Sequence, residues 1–143
     1  MKKICVLIVM LLTVTGCGGS GLSNLDINKA SVAVEKTLDD MINIEGETLE
    51  DVYGVSLSSI EEFVVKQNGD GDMYAIIKAK DKAAVKEDME GYFAKIKEYN
   101  ETYEPDRLET LEDRLEKEIG DYLIYIVSED AKDIYEDILD TME

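Results

Sequence analysis

Asn68-Gly69-Asp70-Gly71-Asp72 sets side-chain oxygens at alternate positions, the spacing with which a calcium loop presents its ligands. The pattern then departs from such a loop. Met73 stands at the sixth position, where the sharp turn needs glycine, and Ala79 at the twelfth, where a bidentate glutamate belongs. Asn68, Asp70 and Asp72 are therefore weak cation candidates inside a polar hairpin turn. The chain holds no histidine, which removes imidazole bases, and no Gly-rich phosphate loop precedes a helix. Two carboxylates could hydrolyse a glycosidic bond if one were held protonated at a defined separation from the other. Among 33 acidic residues no such pair stands out. No catalytic residue, resident metal or cofactor is assigned.

The remaining reactive groups are the thiols of Cys5 and Cys17. Lys2 and Lys3 open the chain, and Ile4 to Val14 is apolar apart from Thr13, the layout of a secretory signal. As a helix this run reaches roughly 16 Å, about half of a hydrocarbon core. Val14-Thr15-Gly16-Cys17 follows and resembles a lipobox: aliphatic, small or hydroxylated, small, then cysteine. Small residues let extended backbone enter a peptidase, and only the thiol can take a diacylglyceryl group as a thioether. Residues 1–16 are read as a signal cleaved before Cys17, and Cys17 as the site of lipidation. Two acyl chains hold stably where one holds marginally. The expected address is the outer face of a bacterial cytoplasmic membrane.

Cleavage would leave 127 of the 143 residues, enough for one domain with a modest core. Cys5 leaves with the signal and Cys17 is acylated, so no disulfide braces the fold. Losing Lys2 and Lys3 takes the net charge from −18 to −20. Such a surface argues against nucleic acid, whose phosphates require lysine and arginine. Residues 17–25 form a Gly/Ser-rich tether spanning roughly 15 Å, and 26–143 a single domain.

Helical spacing of Ala30, Val34, Leu38, Met41 and Ile42 predicts a helix from Asn28 to Ile42. Gly46 ends that region, and Thr48 caps a short helix that Gly54 stops. Alternation through Phe63 and Val65, a break at Gln67 to Asp72, then Met73 to Ala79 predicts a hairpin. Asp81 caps a helix to about Tyr99 whose stripe is Val85, Met89, Tyr92, Phe93 and Ile96. A break at Tyr103-Glu104-Pro105 precedes a short helix from Asp106 to Leu111. Leu115 to Ile119 alternates like a strand, although Arg114 to Glu118 could equally prolong the helix. Gly120-Asp121 turns into a strand from Tyr122 to Val127. Ser128 caps a last helix from Glu129 to Met142, with Ala131, Ile134, Tyr135, Ile138 and Leu139 inward.

The expected fold is α+β: a mainly antiparallel four-stranded sheet in hairpin-helix-hairpin-helix order after an N-terminal helix. Both faces of the last strand are apolar, so the two later helices cover one side and the N-terminal helix or a partner covers the other, the helix being preferred for its own apolar stripe.

Tyr53-Gly54-Val55, Ile76 to Asp81, Tyr103-Glu104-Pro105, Gly120-Asp121-Tyr122 and Ser128-Glu129-Asp130 resemble the marks of a family of small, uncharacterised lipoproteins of anaerobic Gram-positive bacteria. That family is classed only as a domain of unknown function. The resemblance covers about Leu49 to Leu139, with a shorter loop at Gln67 to Asp72. It implies an anchored lipoprotein and supplies no catalytic residues.

The leading expectation is a non-enzymatic domain, anchored through a diacylglyceryl group on Cys17, that binds a protein or cell-envelope component. The alternative is a carboxylate-dependent hydrolase of envelope glycans. A flat sheet face with Tyr74, Ile76 or Tyr122 exposed would favour the former; a pocket converging two buried acids, the latter.

Overall fold

The computed structural model describes residues 24–142. The signal, Cys17 and the tether as far as Ser23 lie outside that range.

Helix α1 spans Ile27–Val34, and the Asp26 carboxylate accepts from the backbone amides of Asn28 and Lys29 at 3.0 and 3.1 Å. It stops eight residues short of Ile42. Lys36 and Thr37 donate to the carbonyls of Ala33 and Val34, tightening the last turn, and Asp40 takes φ +56°, which a helix cannot accommodate. Leu38 still packs into the core beside α1. Ile42–Asn43 instead forms strand β1, with Ile42 68% exposed. Helix α2 spans Gly46–Asp51, with Glu45 at its N-cap position, so Gly46 begins a helix and Thr48 lies inside it. Gly46 fits there because a Cβ would come within 2.8 Å of Leu57. Gly54, at φ +75°, stops this helix as the sequence predicts.

After a 3-10 turn at Leu57–Ser59, strands β2 (Ile60–Gln67) and β3 (Met73–Ala79) pair as the predicted hairpin. Asp81 accepts from the amide of Ala84 at 3.1 Å and opens helix α3, Lys82–Tyr103, one turn longer than predicted. A 3-10 turn at Pro105–Arg107 leads into helix α4, Leu108–Glu112. Leu115–Ile119 is strand β4, which settles the strand-or-helix alternative, and β5 spans Tyr122–Val127. Gly120 takes φ +56° at the turn between them. Helix α5 is Ala131–Asp140; Asp130 occupies the N-cap position and Ser128 Oγ accepts from its amide at 3.2 Å.

The sheet has five strands, not four, in the order β1-β2-β3-β5-β4, every pair antiparallel. The layering also differs from expectation. Helix α3, with α2 and α4 at its flanks, packs on Val65, Ala75, Ile77, Leu123 and Tyr125. Helices α1 and α5 pair on the opposite face over Tyr74, Ile76, Ile124 and Ile126. The reason is length: eight residues of α1 extend only about 12 Å, too little to cover that face alone. Tyr74, Ile76 and Tyr122 are all buried, so this sheet face is not an open surface. No helix among the described residues is long and apolar enough to cross a membrane.

Candidate ligand cavity

A cavity of about 460 Å³ opens where the β2–β3 turn meets the C-terminal half of α3. Tyr92, Lys95, Ile96, Tyr99 and Asn100 line it from one face of α3, because spacings of three and four residues stack side chains along a helix. The end of α2 adds Val52 and Tyr53, the hairpin adds Asn68, Gly71 and Met73, and β5 adds Val127. Arg107 arrives from the turn after α3. Pro105 breaks the helix, and the Glu104 carbonyl then accepts from the Arg107 amide at 2.9 Å, folding the arginine back over the hairpin.

Arg107 Nη2 donates to Asp72 Oδ1 at 3.2 Å. Its guanidinium rests against Gly71, where a Cβ would fall 2.6 Å from Nε. Arg107 Nε is buried and makes no hydrogen bond to any described residue. The Tyr92 hydroxyl shares that condition in a fully buried residue. Burial, and then the neighbouring Tyr53, push the Tyr92 hydroxyl well above the usual phenol range, so it stays protonated as a donor. Lys95 Nζ donates to the Val52 carbonyl at 2.7 Å. Tyr53 and Tyr92 meet at a tilt of 42° with ring centroids 4.4 Å apart, and Phe93 meets Tyr92 edge-on at 5.3 Å. Tyr99, which lines the cavity, is 52% exposed, and its ring centroid is 5.0 Å from that of Tyr103, 70% exposed.

The weak cation candidates border this cavity in other roles. Asn68 Oδ1 accepts from the amides of Asp70 and Asp72, each at 3.0 Å, and its Nδ2 donates to the Asp39 carbonyl at 3.3 Å. The asparagine thereby shapes the turn and ties it to the segment before β1. Asp72 faces Arg107, and Asp70 is exposed. No group of three or more His, Cys, Asp or Glu side chains placed to hold a metal occurs among the described residues.

A second polar cluster lies on the other sheet face. Glu35 Oε1 accepts from Lys66 Nζ at 2.6 Å and from the Tyr74 hydroxyl at 2.7 Å, with Ser31 Oγ at 3.1 Å. Ser31 Oγ is also 2.6 Å from the Tyr74 oxygen. Burial alone would raise the Glu35 pKa, but the bonds from Lys66, Tyr74 and Ser31 outweigh it and hold the carboxyl below its ordinary range. Every polar side chain here has a partner, and the cluster ties α1 to β2 and β3.

Tyr92 reads in sequence as one more member of a core stripe, and nothing near Arg107 announces a site. The signal that could have pointed to them is the continuation of the α3 stripe through Tyr99 to Asn100, past the length needed to cover the sheet.

No curated protein and no solved structure matches the chain. One family model matches, over residues 33–128, against the expected 49–139. Every residue lining the cavity falls inside that stretch, whereas α5 and the first turns of α1 fall outside it. Over most of its folded length, therefore, the chain belongs to the family described as domain of unknown function DUF4358.

Proposed function

We propose that this DUF4358 chain is a lipoprotein held on the outer face of a bacterial membrane by a diacylglyceryl group on Cys17, and that its domain is a non-enzymatic binding module. The address rests on Lys2-Lys3, the apolar run to Val14 and Val14-Thr15-Gly16-Cys17. The binding role rests on one observation: the cavity is walled by aromatic and aliphatic side chains with a few polar groups, the composition of a recognition pocket. Glu104 is the one carboxylate lining it. Glycoside hydrolysis uses two, about 5 to 9.5 Å apart, so this geometry does not favour the hydrolase of envelope glycans.

The address is tested by growing cells that express the full chain with an alkyne-bearing fatty acid. Label on the wild type and none on Cys17→Ala is the expected outcome; label retained on Cys17→Ala overturns it. The partner, a protein or an envelope component, is sought by crosslinking in native membranes with Cys17→Ala as the untethered control. Recovery of nothing specific to the tethered chain would count against the binding role.

A further inference from the structure

The cavity and its rim carry an inference about ligand class, which rests on the binding-module reading above. Three observations converge. First, the walls are apolar and partly aromatic, with Tyr53, Phe93, Ile96 and Tyr99 among them. Second, two hydrogen-bond donors on residues that line the cavity, the Tyr92 hydroxyl and Arg107 Nε, are buried without an acceptor among the described residues. Leaving such a donor unmet is destabilising, and an acceptor oxygen brought into the site offsets that. Third, two cations, Lys95 and Arg107, line the cavity with Glu104, and Asp72 pairs with Arg107, so local charge is balanced. The surface recess along α4 and β4 is net acidic, with Asp106, Glu109, Asp113, Glu116 and Glu129 against Arg114, Lys117 and Lys132. In a chain of net charge −18, a donor-rich hollow with balanced local charge suits an oxygen anion better than the acidic surface around it.

We propose that this cavity binds a small organic acid with an aromatic or branched apolar body, its carboxylate directed to Tyr92 and Arg107 and its body held between Tyr53, Ile96 and Tyr99. Asp72 accepts from Nη2 at one end of the guanidinium, and the missing side chain of Gly71 leaves room for the Nε side. A cavity of about 460 Å³ accepts a ligand of that size.

The test uses the full chain in zwitterionic lipid nanodiscs and ligand-observed fluorine NMR. The probe is 3-(4-fluorophenyl)propionate, compared with the amine and alcohol that share its body, and empty nanodiscs are the blank. Saturable broadening by the carboxylate, with an affinity at least about tenfold above that of the amine, is the expected result. Tyr92→Phe, an isosteric change, should weaken the carboxylate by about tenfold, and Arg107→Gln should abolish the preference over the amine. Broadening no greater than the blank overturns the proposal, as does equal binding of the amine or a Tyr92→Phe chain that binds like the wild type. A chain that takes none of the probes yet still crosslinks a membrane partner overturns the ligand class and leaves the tethered-binding role standing.

Discussion

Tyr74 and Tyr92 are both fully buried, one on each side of the same sheet, and their hydroxyls meet opposite fates. Tyr74 donates to Glu35 and sits 2.6 Å from Ser31, inside a cluster that Lys66 completes. Tyr92 has no partner among the described residues and borders a hollow. A buried network in which every member is satisfied fixes one arrangement of elements; here it locks α1 onto the β2–β3 hairpin. A buried donor without an acceptor stabilises nothing and is retained at a cost. The α1–α5 face is thus built for cohesion, and the α3 face gives up cohesion at its hairpin end to keep an opening.

Four changes sharpen or break that contrast. The largest effect is expected from Ile124→Ala, which empties the filled α1–α5 face and should cost about 2–5 kcal/mol in urea unfolding. Ile96→Ala, on the half-buried cavity wall, should cost about 1 kcal/mol. Equal losses would mean that the two faces are packed alike.

Gly71→Ala comes next. At φ +85° an L side chain is strained by about 1–2 kcal/mol, and its Cβ would push Arg107 away from the turn. The expected readout is that loss in stability together with a shifted Arg107 Nε–H resonance, and an unmoved resonance would refute the close packing.

The fourth effect is the pH dependence that the Glu35 cluster adds. Glu35 has a folded pKa below its ordinary value of 4.5, so its contribution is complete above that value and is lost as pH falls through the depressed one. Glu118, held at about 2 by Lys82 and then Lys86, adds a dependence of the same sign. The difference between wild type and Glu35→Gln isolates the cluster. Unfolding followed from pH 6 to pH 2 should show the wild type losing more stability than Glu35→Gln, and parallel curves would argue against the network.

Much of the fold is legible in sequence where local rules suffice. Tyr122 to Val127 is a continuous apolar run between turn residues, and Asp81 precedes a helical stripe; both become the predicted elements. Strand β1 is not legible, because Ile42 sits four residues after Leu38 and continues a helical spacing that the left-handed Asp40 interrupts. The side of the sheet that α5 takes is a long-range choice, set by how little surface α1 can cover. The site is harder still to read. Arg107 meets Asp72 across 35 residues, and Tyr92 carries the same stripe position it would have with its hydroxyl satisfied. Only the three-dimensional neighbours separate the two conditions.

The contrast between the faces reduces to one pair of isosteric substitutions compared by urea denaturation at neutral pH. Tyr74→Phe is expected to lose about 1–3 kcal/mol, because it strips Glu35 and Ser31 of a shared partner. Tyr92→Phe is expected to leave stability unchanged or slightly raised, because its hydroxyl has no bond to lose. A Tyr92→Phe chain destabilised as much as Tyr74→Phe would show that the Tyr92 hydroxyl is structural, and would contradict the reading of the α3 face as a site kept open for a ligand.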